Sequence, residues 1–108
     1  MGQLIVIKGL TEQEEQIIKT ILKPYMNGFN FYYYGSRVKG NYEKTSDLDI
    51  LIKGNSKFSY DLLETLKVLF DKSDLTFIVN FVDYYSIDES FYNLIEKDLV
   101  RIWKTDYL

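Results

Sequence analysis

Two aspartates that open an apolar segment, preceded by a Gly-Ser turn, constrain this chain more than any other feature. Asp47 and Asp49 are separated by one leucine and lead into a hydrophobic stretch that ends at Ile52. The stretch is typical of a β-strand, where side chains alternate faces, so we expect both carboxylates on the same face. Neighbouring carboxylates resist burial unless a cation lies between them, and oxygen ligands suit Mg²⁺. The segment therefore predicts a Mg²⁺ site on a sheet.

The Gly-Ser turn adds a phosphate-binding element to this site. Gly35 and Ser36 follow an aromatic run, and a short helix is expected over residues 36–40 with its N-terminus toward phosphates. Together, turn and aspartates predict a site for a metal-bound nucleoside triphosphate. Arg37 and Lys39 either add positive charge near the phosphates or lie on a solvated helix face. Ser46 is expected to cap or orient the loop rather than to contact the ligand.

Composition limits the chemistry available elsewhere. The 108 residues suit a single domain over 1–108, and 46% hydrophobic residues fit a globular protein. The absence of Cys and His excludes thiolate and imidazole metal ligands. A net charge of −3 makes a nucleic-acid partner unexpected, whereas a metal-bound triphosphate is compatible with it. No apolar run is long enough for a membrane span and no signal peptide is evident, so we expect a cytoplasmic protein without membrane attachment.

Hydrophobic periodicity and turn residues predict an α+β fold, with a small mixed β-sheet and helices packed on it. Thr11 and Glu14 form a capping-box pattern at the start of a first helix that should end near Lys23. Ser59 is expected to cap a later helix, and either Ser86 or Asp88 the last one. Strands are expected over residues 30–34, 47–52 and 75–83, with an apolar arm or short strand over 4–7 and a strand-like tail over 99–103.

Two helices carry apolar residues at helical spacing, and these are expected to face the sheet. The first set is Leu62, Leu63, Leu66, Leu69 and Phe70. The second set, on the last helix, is Phe91, Leu94 and Ile95. Residues 32–34 are three consecutive tyrosines, and they cannot all face one core. At least one is therefore expected to be exposed, to lie at an interface, or to pack under a loop.

The joint pattern resembles the signature of the minimal nucleotidyltransferases, within the polymerase-beta-like superfamily. The matching segments are Gly35-Ser36-Arg37-Val38-Lys39-Gly40 and Ser46-Asp47-Leu48-Asp49-Ile50-Leu51-Ile52. The resemblance implies the nucleotidyltransferase fold from about residue 4 to residue 103. It also implies that Asp47 and Asp49 hold Mg²⁺ on ATP in a two-metal arrangement, and that Gly35 and Ser36 hold the β- and γ-phosphates.

Looser matches over residues 73–77, 79–83 and 95–98 resemble a bacterial subgroup commonly encoded beside a helical HEPN partner in toxin–antitoxin pairs. This resemblance implies an enzyme that transfers a nucleotidyl group, AMP, to a tyrosine hydroxyl of the partner toxin. The alternative is a non-catalytic antitoxin that neutralises its helical partner by covering it. A homo-oligomer also remains open.

The sequence departs from the family pattern at one position. The family has a third catalytic carboxylate on the third central strand, and the alignment places that position at Asn80. An amide oxygen can ligate a metal, but it carries no charge and takes no proton. Asp83 is the nearest carboxylate, and its odd separation from residue 80 puts it on the opposite face of a regular strand, where it is expected to cap the following turn. We therefore expect a complete nucleotide-binding half and impaired transfer.

Overall fold

A four-stranded mixed sheet organises residues 7–103, the part of the chain that the computed structural model describes. Its strands are β1 (Phe29–Tyr34), β2 (Leu48–Gly54), β3 (Val79–Asp83) and β4 (Val100–Arg101). β1 lies between β2 and β4 and runs antiparallel to both, whereas β3 runs parallel to β2 on its other side. The α+β class with a small mixed sheet is therefore confirmed.

Within the same range the α-helices are α1 (Glu12–Leu22), α2 (Ser36–Lys39), α3 (Tyr60–Asp71) and α4 (Glu89–Ile95). Short 3₁₀ turns follow α1, β3 and α4, at Lys23–Tyr25, Tyr84–Ser86 and Glu96–Asp98. No helix among the described residues is long and apolar enough to cross a bilayer.

Local capping signals set the helix starts. The Thr11 amide donates to Glu14 Oε1 at 2.9 Å and the Glu14 amide donates to Thr11 Oγ1 at 3.1 Å, so the predicted capping box is present. Ser59 caps α3 by accepting from the Leu62 amide. Asp88, rather than Ser86, caps α4 by accepting from the amide of Phe91. These capping bonds satisfy N–H groups that a helix cannot pair internally.

One face of the sheet carries the larger core. Side chains of β1 and β2 pack there against α1 and α3 in a cluster that includes Ile18, Phe31, Tyr33, Ile50 and Leu66, all at most 1% exposed. Burial of each such aliphatic or aromatic side chain contributes about 1.5–3 kcal/mol. Packing on this face fixes the position of β2, and therefore of the side chains that β2 carries on its opposite face.

The opposite face is covered mainly by α4 and carries a smaller cluster. Tyr34 and Leu51 of the sheet pack there with Ile95, and the Tyr34 ring meets Phe91 edge-on with centroids 6.3 Å apart. Tyr33 is buried on the core face, Tyr34 on the α4 face, and Tyr32 is half-buried with the α4 cluster. Of the alternatives for this tyrosine run, packing within the chain agrees with the structure.

The predicted third strand was too long. β3 begins at Val79 rather than at residue 75, because its parallel partner β2 begins at Leu48 and that residue pairs with Val79. Upstream of Val79, the Ile78 carbonyl accepts from the Leu48 amide at 2.8 Å, and residues 75–78 belong to no strand. The second strand begins at Leu48, one residue later than expected, and continues to Gly54. The expected tail forms only the short strand β4, and the expected N-terminal arm lies outside the described residues except for the buried Ile7.

Three of the leucines expected to face the sheet do not. Leu62 and Leu69 are 39% and 38% exposed, because the buried stripe of α3 runs through Leu66 and Phe70 and these two lie at its flanks. Leu94 is 71% exposed, since α4 packs through Ile95 and the preceding residue points about 100° away.

Candidate active site

The candidate site lies where β1 ends and β2 begins. Because these strands are antiparallel, the end of one lies beside the start of the other, and Tyr34 pairs with Asp49. Gly35 follows β1 directly and α2 begins at Ser36. The turn is therefore adjacent to the aspartates, although ten residues lie between Ser36 and Asp47 along the chain.

Gly35 is in close contact with the second aspartate. Its φ is +89°, a conformation that L side chains rarely adopt, and a Cβ added there would collide with Asp49 Oδ2. Gly35 therefore serves two purposes: it permits the turn, and it leaves space for the Asp49 carboxylate. The Gly-Ser turn and an acid of the predicted site are in van der Waals contact.

Asn80 joins the two acids. β3 places it opposite Asp49 in the parallel register, where the resemblance puts the third carboxylate. Its Nδ2 donates to Asp47 Oδ2 at 2.9 Å and to Asp49 Oδ1 at 3.4 Å. One amide nitrogen can approach both carboxylates only if these point the same way, as strand alternation predicts. The structure thus brings Gly35, Asp47, Asp49 and Asn80 together.

The electrostatics of the cluster reflect the partial burial of Asp49, since Asp47 and Asn80 are exposed. Desolvation raises the pKa of Asp49, the Asn80 hydrogen bond lowers it, and the negative charge of Asp47 raises it again. Tyr34 lies beside Asp49, and burial together with that charge raises the Tyr34 pKa to about 12. Sequence reasoning did not select Tyr34 as a site residue, because its proximity depends on the β1–β2 register. Two anions and a neutral phenol form a site that favours a cation.

The donor set fits one hard divalent cation. The two carboxylates supply oxygen ligands, the type Mg²⁺ prefers, and the phosphates of a nucleotide would supply others, whereas Asn80 turns its Nδ2 rather than its oxygen toward the acids. Within residues 7–103 no group of three or more Asp, Glu, His or Cys side chains could hold a metal. The described residues therefore fit one ion on a triphosphate, and they do not provide the third carboxylate that a two-metal site uses.

The Arg37 side chain does not belong to this cluster. It is 3% exposed, and its guanidinium donates to the backbone carbonyls of Gly9, Lys44 and Ser46 at 2.6, 2.9 and 3.0 Å. Neither a phosphate-facing side chain nor a solvated helix face, the two expectations for Arg37, agrees with this placement. Both failed because the carbonyls that bind it belong to loops whose positions the local sequence does not reveal.

The other candidates take the following places. Lys39 is exposed and forms an ion pair with Asp98 at 3.8 Å. Ser46 Oγ accepts from the Glu43 amide at 2.8 Å, so it orients the loop as expected. Asp83 accepts from the amides of Phe58 at 2.6 Å and Tyr85 at 2.8 Å, which confirms that it caps the turn after β3. It pairs with Ile52 on the core face and cannot replace the missing carboxylate.

The fold and this site together define a nucleotidyltransferase domain. The family described as "Nucleotidyltransferase domain" matches residues 14–107, and the chain belongs to that family. Among curated proteins it is similar to "Probable protein adenylyltransferase MntA" of Haemophilus influenzae, with 34% identity over 93 residues that cover 86% of this chain and 82% of that protein. The predicted family is therefore confirmed.

Solved structures share the fold at lower identity. One chain, from a crystal structure of a toxin–antitoxin with AMP-PNP, has a TM-score of 0.70 and 22% identity, covering 85% of this chain and 74% of its own. Another comes from a tri-AMPylated Shewanella oneidensis HEPN toxin in complex with an MNT antitoxin, with a TM-score of 0.56, 22% identity and coverage of 84% and 70%. At these identities the likeness establishes the common architecture.

Proposed function

We propose that this chain is a Mg²⁺-dependent nucleotidyltransferase-type domain that binds ATP and transfers AMP to a tyrosine of a helical HEPN-type partner, slowly because of Asn80. The observation that carries the proposal is the contact between the Gly-Ser turn and Asp49, with Asp47 and Asn80 in the same cluster. The relatives add support: one is described as an adenylyltransferase, one structure contains AMP-PNP, and one contains an AMPylated HEPN toxin.

Each residue of the cluster has a defined part in binding. Asp47 and Asp49 would hold the ion, and the turn at Gly35 and Ser36 would receive the β- and γ-phosphates. Bound Mg²⁺ would supply charge neutralisation to the triphosphate and its leaving pyrophosphate. Lys39 is exposed near the end of α2 and would contribute long-range positive charge only. Such transfer requires mainly alignment and charge neutralisation, which this small set of residues can provide.

The transfer step itself exchanges a phosphoanhydride bond of ATP for a phosphoester bond to the acceptor. The acceptor hydroxyl oxygen bonds to the α-phosphorus, the bond from that phosphorus to the α–β bridging oxygen breaks, and pyrophosphate leaves. The hydroxyl proton passes to solvent, because Asn80 has no carboxylate to accept it. Loss of a positioned general base lowers a rate by a factor on the order of 10² or more. Asn80 therefore predicts binding that is intact and transfer that is slow.

Intact-mass spectrometry of the HEPN-type partner tests this proposal. The partner is incubated with Mg²⁺, ATP and either the unaltered chain or Asn80→Asp, and each nucleoside triphosphate is then tried in turn. We expect a gain of one or more AMP units, at least about 10²-fold faster with Asn80→Asp. Asp49→Asn is the control that should show no gain. Rapid transfer by the unaltered chain would contradict the role given to Asn80.

A second candidate is a non-catalytic antitoxin that acts by binding alone. The hydrogen bonds from the Asn80 amide to Asp47 and Asp49 favour this candidate, because they already stabilise the two acids without a metal. Exposed apolar side chains, among them Leu94 and Ile78 at 71% and 62%, offer contact area for a partner. Co-purification with the helical protein and no change in its mass after ATP, even with Asn80→Asp, would decide for this candidate.

A further inference from the structure

Arg37 links the turn of the candidate site to the loop that carries the first aspartate. Its Nε donates to Ser46 O at 3.0 Å, and its Nη2 donates to Lys44 O at 2.9 Å and Glu43 O at 3.4 Å. Ser46 is the residue directly before Asp47. Since Arg37 itself directly follows Ser36, one side chain connects the two halves of the predicted site.

The guanidinium is held from a second direction by the segment before α1. Nη1 donates to Gly9 O at 2.6 Å, and the Gly9 amide donates back to Arg37 O at 3.1 Å. A Cβ at residue 9 would collide with the backbone and Cβ of Arg37, so glycine is required at this approach. The arginine is therefore fixed between a short segment at residue 9 and the loop over residues 43–46.

Aromatic rings complete the environment of the buried cation. The Arg37 Cζ lies 3.9 Å from the centroid of Phe77 and 5.3 Å from that of Tyr42. A buried charge is costly unless it is fully hydrogen-bonded, and the carbonyls and ring faces offset that cost here. A lysine could not substitute for it, because an ammonium lacks the planar fork that reaches several carbonyls at once.

We propose that Arg37 is a positioning residue for the metal-binding acids: it fixes the loop over residues 43–46 and so places Asp47 beside Asp49. The proposal rests on the proposed function of the site, and it assigns Arg37 no contact with phosphate. Residues that orient metal ligands from behind change metal affinity by about 10–100-fold when altered. Arg37 is thus expected to influence nucleotide binding only through the ion.

The test compares ATP affinity in Mg²⁺ and in EDTA for the unaltered chain, Arg37→Lys and a matched control, Arg101→Lys. Arg101 also tethers a neutral acceptor, Asn30 Oδ1 at 2.6 Å, but it lies on β4 away from the loop. We expect Arg37→Lys to weaken ATP binding at least about tenfold in Mg²⁺ and less than about twofold in EDTA. The control should resemble the unaltered chain in both buffers.

Each result separates this inference from the proposed function. Failure of the unaltered chain to bind ATP in Mg²⁺ would refute the function itself. Unaltered binding together with an unchanged Arg37→Lys would refute the positioning role alone, and equal losses in both buffers would indicate direct phosphate contact instead. If Arg37→Lys does not fold, Ser46→Ala removes the loop-closing bond from the Glu43 amide and should give a smaller loss of the same kind. An unchanged affinity there would also overturn the inference.

Discussion

The two faces of β2 differ in what they require of the sequence. Leu48, Ile50 and Ile52 point to the core under α1 and α3 and are at most 1% exposed. The intervening Asp49 and Lys53 lie on the α4 face and are half-buried. One strand thus contributes to folding with one set of side chains and to the candidate site with the other, because its side chains alternate.

Lys53 shows how polar groups are accommodated on the α4 face. Its Nζ donates to the Tyr92 hydroxyl at 3.2 Å and lies 4.5 Å from the Tyr84 ring centroid, and these contacts help to raise its pKa. The core face buries mainly apolar side chains, whereas the α4 face combines a smaller apolar cluster around Leu51 with charges paired to amides and phenols. We therefore expect changes to the buried side chains of the core face to alter stability, and changes to the polar residues of the α4 face to alter binding.

The largest effect is expected on the core face. Ile50→Ala removes a fully buried side chain of β2, at a position paired with both β1 and β3. It should lower the free energy of unfolding by about 2–5 kcal/mol. Denaturant unfolding measures it, with exposed Leu94→Ala as the control expected to stay within about 0.5 kcal/mol. A loss below about 1 kcal/mol for Ile50→Ala would mean that the two faces do not differ in this way.

Asp49→Asn, on the α4 face, is expected to change ATP binding rather than the free energy of unfolding. It should weaken ATP binding in Mg²⁺ by about 10–100-fold, because it removes an anionic ligand. Stability without metal should be unchanged or slightly higher, because both burial and the Asp47 charge disfavour the ionised Asp49. Calorimetric titration and denaturant unfolding on the same sample measure the two quantities. A clear loss of stability would show that Asp49 is needed for folding as well.

Asn80→Asp tests how far the hydrogen bonds from the Asn80 amide replace a bound cation in stabilising Asp47 and Asp49. A third carboxylate beside Asp47 and Asp49 should lower stability in EDTA by about 1 kcal/mol, because the hydrogen bonds to both acids become repulsions. Saturating Mg²⁺ should restore the loss through its binding free energy. Thermal unfolding with and without Mg²⁺ measures both. A variant that is equally stable in EDTA and in Mg²⁺ would contradict this role of the Asn80 hydrogen bonds.

Local and periodic features of the sequence predicted much of the fold and site. The capping box of Thr11 and Glu14 is a bond between near neighbours, so no distant residue was needed to predict it. The common orientation of Asp47 and Asp49 was predicted from strand alternation, and it is kept although Asp47 lies directly before β2; the opposite orientation of Asp83 follows from alternation within β3. The length of β3 could not be predicted in the same way, since it depends on where β2 begins.

Arg37 shows why side-chain roles are harder to predict than positions. A basic residue beside a phosphate motif favours a phosphate contact on local grounds. Its actual acceptors, at residues 9, 44 and 46, and the Phe77 ring come from three separate segments. Only the folded arrangement of those segments decides which way the guanidinium turns. The exposure of Leu94 has the same origin, because the packing of α4 on the sheet buries Ile95 and leaves the adjacent Leu94 exposed.

The smallest expected effect is a change in stability that occurs only at alkaline pH. It compares two adjacent tyrosines that lie on opposite faces of the sheet. Tyr33 donates to Glu15 Oε2 at 3.0 Å on the core face, and burial followed by the Glu15 charge raises its pKa strongly. On the α4 face, burial and then Asp49 raise the Tyr34 pKa from 10.0 to about 12. A phenol whose pKa is higher in the folded chain contributes stability that is complete below about pH 10 and lost as pH rises above it.

Tyr34→Phe should therefore reduce, without abolishing, the fall in unfolding free energy between about pH 10 and about pH 12, because Tyr33 still contributes. Denaturant unfolding at several alkaline pH values measures the slope, and exposed Tyr60→Phe is the control that should leave it unchanged. Removing the Asp49 charge with Asp49→Asn should reduce the slope in the same direction and by less, since burial is the larger cause. If Tyr34→Phe leaves the slope unaltered, the phenol is not held beside that carboxylate, and the β1–β2 register that places the Gly-Ser turn against Asp49 would itself be in question.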